Sequence, residues 1–176
     1  MRRSSAVALM CMLASMFAVA QKSTSANPEP ATATCNFDNQ KQLTVQYQQL
    51  KLSKKDDDFI GHEARYGRVW EPGKKALTLY TNTPLTLAGN NLAVGAYTLY
   101  LIPDHRDWTL VVSRNTDVSA KYDKSKDLMR APMEIGQLPL LEPEFSVYFA
   151  HTGPTECTMR VDIADTRAWV PFFEQK

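Results

Sequence analysis

The chain has 176 residues, with 20 basic and 19 acidic side chains, a net charge of +1, and a composition 44% hydrophobic and 22% charged. That length suits one domain with a full hydrophobic core, and the near-zero charge supplies no sign bias to hold nucleic acid. After the N-terminal segment, no apolar run is long enough to cross a membrane.

The first twenty residues read as an export signal that is removed. Arg2 and Arg3 give a positive start, Ala6 to Val19 a short apolar run, and Ala18-Val19-Ala20 a small-x-small cleavage pattern. An uncleaved anchor is the competing reading, against which stand the shortness of the run and its cleavage-like end. Cys11 lies inside the run without the small residue that precedes a lipidated cysteine, so it leaves with the leader. Cleavage takes two arginines and no acidic residue, leaving about 156 residues at net −1 and a protein expected in the periplasm or outside the cell.

Residues 21–34 are rich in Ser, Thr, Ala, Asn and Pro with almost no large apolar side chain, the composition of a flexible linker. A single domain is then expected over residues 35–176. Cys35 and Cys157 lie near its two ends, and in an oxidising compartment such a pair is most simply a disulfide. Two unrelated buried thiols remain the alternative, because spacing alone does not establish approach. There is no Cys-x-x-Cys pair and no histidine at a ligand spacing, so neither cysteine points to zinc or redox chemistry.

Period two then recurs along the chain. Leu43, Val45 and Tyr47 alternate with polar residues, and Lys54-Lys55-Asp56-Asp57-Asp58 breaks the pattern as a solvated turn. Further alternating segments hold Leu77 and Leu79; Leu85 and Leu87; Tyr97, Leu99 and Leu101; Trp108, Leu110 and Val112. Turns are expected at Gly89-Asn90-Asn91, at Gly95 and over Pro103 to Asp107. Phe145, Val147 and Phe149 alternate next; Thr152-Gly153-Pro154 turns the chain into Cys157, Met159, Val161 and Ile163; Ala168, Val170 and Phe172 close it. About eight short strands without a helical period give an all-β domain, a single antiparallel sandwich or barrel. In it Cys157 faces inward and Trp108 is core. Thr116 to Met133, which contains Tyr122-Asp123-Lys124-Ser125-Lys126-Asp127, is expected as a long polar loop, a class that is usually functional or disordered.

Three stretches also carry a family likeness. Tyr66-Gly67-Arg68-Val69-Trp70 with Pro72-Gly73, then Gly95 through Pro103, then Trp108-Thr109-Leu110-Val111-Val112 resemble the bacterial family called domain of unknown function 2911. The likeness covers roughly Gln42 to Phe172, and Lys126-Asp127-Leu128-Met129-Arg130 resembles the family's Lys-Asp-x-x-Arg segment. After the tryptophan the chain departs from the family's Thr-Gly-Ala-Asn and reads Glu71-Pro72-Gly73-Lys74-Lys75-Ala76. The resemblance implies a small exported β domain and brings no established activity.

Aromatic side chains on loops give rigid contact area with a polar tip, and arginine gives planar donors for carboxylates, phosphates or sugar hydroxyls. Tyr66, Arg68, Trp70, Tyr122 and Arg130 are therefore the candidate ligand-binding residues. The plainer reading makes Trp70 and Tyr66 a packed corner with Arg68 reaching outward. His62-Glu63-Ala64-Arg65-Tyr66 begins like a zinc-protease helix but ends in Tyr where a second His is needed. His105 between Asp104 and Asp107 sits at an expected hairpin tip where charge is ordinary, His151 has no assignable partner, and Glu142 and Glu144 read as solvated loop charges. No serine elbow and no phosphate-binding glycine loop is present, so no catalytic residue, metal or other cofactor is assigned.

Together these features suggest an exported non-catalytic module that binds a small molecule, a glycan or a protein. Its rival is a metal-assisted hydrolase or sugar-active enzyme drawing on His62, Glu63, His105 and Arg130. A third reading, a structural envelope component, would show exposed hydrophobic edge strands in place of a pocket.

Overall fold

The computed structural model describes residues 28–175, apart from 39 and 53–57. The expected leader, the linker up to residue 27 and most of the charged turn before Asp58 lie outside the described residues. Among the described residues nine strands run in chain order: β1 Pro30–Asn36, β2 Gln42–Gln48, β3 Leu77–Thr81, β4 Leu85–Leu87, β5 Asn90–Leu92, β6 Gly95–Ile102, β7 Trp108–Ser113, β8 Asp127–Gly153 and β9 Glu156–Glu174. Neighbours pair in the order β1-β2-β3-β6-β7-β8-β9-β4-β5, and every pairing is antiparallel. Among the described residues no helix is long and apolar enough to cross a membrane.

The two long strands turn one ribbon of sheet into a sandwich. Residues 127–133 of β8 pair with β7 in the first layer, whereas 134–153 pair with β9 in the second. Between the pairs Gln137↔Thr166 and Glu142↔Ala164 the register slips, so that residues 138–141 stand opposite the single residue Asp165. Ala164 takes φ +53° there, a left-handed conformation rare outside glycine. Pro139 falls inside the slip, where a missing N–H leaves no ladder position empty.

Alternation fills the space between the layers. Leu43, Val45, Leu77, Leu79, Leu99, Leu101, Trp108, Leu110 and Val112 from the first layer meet Phe145, Met159, Val161, Ile163, Ala168, Val170 and Phe172 from the second, all buried. At about 25 cal/mol per Å² of apolar surface, this is the dominant cohesive contribution. Cys35 of β1 and Cys157 of β9 are joined by a disulfide with their Cα atoms 6.2 Å apart, which ties the first layer's edge to the second layer.

Three expectations need correction. Residues 30–34, expected as linker, belong to β1, which pairs along its full length with β2. The ladder and the inward Cys35 hold a segment too polar for its own hydrophobic pattern to reveal. The long loop is shorter than expected: β8 begins at Asp127, because Met129, Ala131 and Met133 alternate toward the core between polar and proline residues. Finally, Ala88-Gly89 is the hairpin turn and Asn90 already pairs with Leu87; both turn residues have positive φ (+47° and +76°), as a two-residue hairpin loop requires.

Candidate functional site

The structure distributes the five candidate residues among four environments. Trp70 belongs to the core. It is 8% exposed, and its ring meets Phe59, Phe145 and Trp108 edge-on with centroids 5.7, 5.5 and 6.1 Å apart. Its backbone exchanges hydrogen bonds with Leu101 (2.7 and 3.3 Å), continuing the row of β3 beside β6. Arg68 is exposed in the preceding turn.

Tyr122 and Arg130 lie on the outer face of the first layer, the side of β6 opposite Trp70. Tyr100, Val111 and Arg130 are successive cross-strand neighbours there, and the Tyr122 ring packs edge-on against Tyr100 at 4.9 Å. The Tyr122 hydroxyl donates to Asp127 Oδ2 (2.8 Å), while Arg130 donates to the same oxygen from Nε (3.0 Å) and Nη2 (2.9 Å), and from Nη2 to the Tyr122 hydroxyl (2.7 Å). Burial, followed by the bond to Asp127, raises the Tyr122 phenol above its usual range. Bonding to Asp127 likewise raises the Arg130 guanidinium, which stays charged. These bonds form a clasp that holds the 114–126 loop on the sheet. Beneath it, the Tyr100 hydroxyl and Asp127 Oδ1 are buried without a hydrogen-bond partner among the described residues. Burial also raises Glu71 and Tyr100, the latter further by the charge of Glu71.

Tyr66 lies elsewhere, in a cleft at the end of the sandwich where three loops converge. Phe59 and Ala64, both buried, anchor the Phe59–His62 turn in the core. Gly61 turns the chain at φ +102°, and a Cβ there would come within 2.8 Å of Tyr66 Cε2, so the ring rests against a position that only glycine leaves open. From Gly67, an N–H to the Pro103 carbonyl (2.9 Å) joins this turn to the 103–107 loop. There the His105 ring stacks on Tyr66 with centroids 3.7 Å apart and planes tilted by 33°.

The cleft encloses about 300 Å3. Asp58, Asp104 and Asp165 supply carboxylates around it and Thr166 a hydroxyl, with Ile135, Ala164 and the buried Trp108 as its apolar lining. Among the described residues no lysine or arginine lines it. Asp104 Oδ1 accepts the His105 backbone N–H (2.6 Å), and Asp165 Oδ1 accepts the Thr166 hydroxyl (3.0 Å), which leaves each carboxylate an oxygen for other donors. The strained Ala164 backbone is what brings Asp165 to the rim.

The other singled-out groups do not join this site. His62 and Glu63 are exposed outside the cleft lining, and Glu144 pairs with Lys51 at 3.2 Å. Among the described residues no group of three or more His, Cys, Asp or Glu side chains is placed to hold a metal ion. In sequence His105 stood out as hairpin-tip charge and as one residue of the metal-assisted rival, with no sign of its contact with Tyr66. Asp58, Asp165 and Thr166 gave no sequence signal, since only the fold brings positions so far apart in the chain to one cleft.

A family model described as "Protein of unknown function (DUF2911)" matches residues 28–172. Searches of curated proteins and of solved structures return no match.

Proposed function

The chain belongs to the DUF2911 family of proteins of unknown function, and from its own geometry we propose that it is an exported binding module whose loop-end cleft takes a small hydroxyl-rich or amino-bearing ligand of the sugar class. The observation that carries this reading is the Tyr66–His105 stack set among three carboxylates. A sugar ring has an apolar C–H face suited to an aromatic side chain and a rim of O–H or N–H donors suited to carboxylate acceptors. The cleft's volume falls at the lower end of small-molecule sites. Tyr122 and Arg130 act in this reading as a structural clasp, and Trp70 as core.

The test is titration calorimetry of residues 21–176 with neutral and amino sugars, using wild type, Tyr66→Ala and Asp104→Asn. Saturable binding by wild type, weakened roughly tenfold or more by each substitution, supports the proposal. Binding that both variants retain, or no binding of any sugar, refutes it. Turnover of a bound sugar would assign the same cleft to an enzyme.

A further inference from the structure

We infer a second binding site, on the outer face of β8 and β9, for a six-membered ring carrying one carboxylate. A groove of about 350 Å3 runs there beside Trp169, Arg160 and Arg167, with Leu138 and Pro139 of the register slip forming one wall. It lies on the opposite side of β9 from the core, since Arg160, Arg167 and Trp169 alternate with the buried Val161, Ala168 and Val170.

Three features make this a built site. Arg167 is fixed in place: Nε bonds Asp162 Oδ1 at 2.8 Å, Nη2 bonds Oδ2 at 2.5 Å, and the Tyr148 hydroxyl bonds Oδ2 at 2.6 Å, with the Asp162 side chain only 2% exposed. Both oxygens of that buried carboxylate are occupied, and Arg167 keeps its Nη1 edge for a ligand. Arg160, the cross-strand neighbour of Tyr148, forms no ion pair among the described residues. Asp162 compensates Arg167, and the charge of Glu142 reaches this face at Tyr148, so the lining carries at most one uncompensated positive charge, which suits a carboxylate better than a dianionic phosphate. Trp169 supplies the flat face: a Cβ on Gly136 would lie 3.2 Å from its ring, so glycine lets the indole settle against β8. Glu134, across the ladder from Trp169, is exposed and does not line the groove.

Guanidinium donors beside an indole and a proline wall match a ring whose carboxylate projects from its edge, either a uronic acid or an aromatic acid. Tryptophan fluorescence reads occupancy, with glucuronate and benzoate as the two probes, glucose as the ring without the charge and acetate as the charge without the ring. Wild type should bind glucuronate or benzoate at least tenfold more tightly than glucose or acetate, and the tighter of the two names the source. The surface substitution Arg160→Gln should weaken that binding roughly tenfold. Trp169→Phe should remove the fluorescence response, whereas Tyr66→Ala should leave it intact, separating this groove from the loop-end cleft. Glucose or acetate binding as tightly as the ring acids would overturn the inference, as would a response unchanged in Arg160→Gln.

Discussion

Reducing the Cys35–Cys157 bond tests how strongly the crosslink holds the two layers, without substituting a residue. The bond closes 122 residues, for which the chain-entropy relation gives about 5 kcal/mol at 25 °C as an upper figure. Domains of this size are stable by roughly 5–15 kcal/mol in total, so the loss should be a large part of the whole. Urea unfolding of residues 21–176, followed by tryptophan fluorescence with and without a thiol reductant, measures it directly. With a denaturant slope near 2 kcal/mol/M, the midpoint should fall by roughly 2 M on reduction. A Cys35→Ala, Cys157→Ala variant should show the same fall, plus a small loss from the two buried sulfurs. Coincident curves with and without reductant, from protein whose thiols react only after reduction, would refute this role for the crosslink.

Three other substitutions separate core, site and face. Trp70→Ala should cost about 3–5 kcal/mol in urea unfolding, because its ring meets three buried aromatic residues; a loss under 1 kcal/mol would return Trp70 to the surface. Gly61→Ala should cost about 1–3 kcal/mol and displace Tyr66, weakening sugar binding as well as stability, because position 61 sits at φ +102°; unchanged binding would separate Tyr66 from the cleft. The Tyr148 phenol is pushed up to about 12 by burial and by its bond to Asp162. Since the folded value lies above the ordinary one, its contribution to stability is complete below pH 10 and fades as pH rises toward 12. Tyrosinate absorbance near pH 12 should lose one tyrosine's amplitude in Tyr148→Phe, beside the other raised phenols; an unchanged high-pH amplitude contradicts the Tyr148–Asp162 bond.

The sheet was legible wherever one face was apolar and the other polar. Leu77 to Val112 folds as its alternation indicates, and Cys157 faces inward as its strand pattern requires. Pattern failed where burial came from pairing: β1 has too few large apolar residues to announce itself, and the start of β8 was hidden by charged neighbours. The binding surface was less legible. Trp70 and Val69 point to opposite sides of the first layer, Trp70 into the core and Val69 against the outer cluster of Tyr100 and Tyr122. Aromatic residues close in sequence were thus separated by the pleat itself. Tyr66 and His105 came together because a backbone bond from Gly67 to Pro103 joins their loops, and local composition carries no sign of that bond.

The most direct test is backbone amide NMR of residues 21–176 during a sugar titration. Ligand-induced shifts should cluster at Tyr66, Asp104, His105, Asp165 and Thr166, leave Tyr122 and Arg130 unmoved, and disappear in Tyr66→Ala. Shifts centred on Tyr122, Asp127 and Arg130, or spread over the sheet without a focus at the loop end, would contradict the assignment of the cleft.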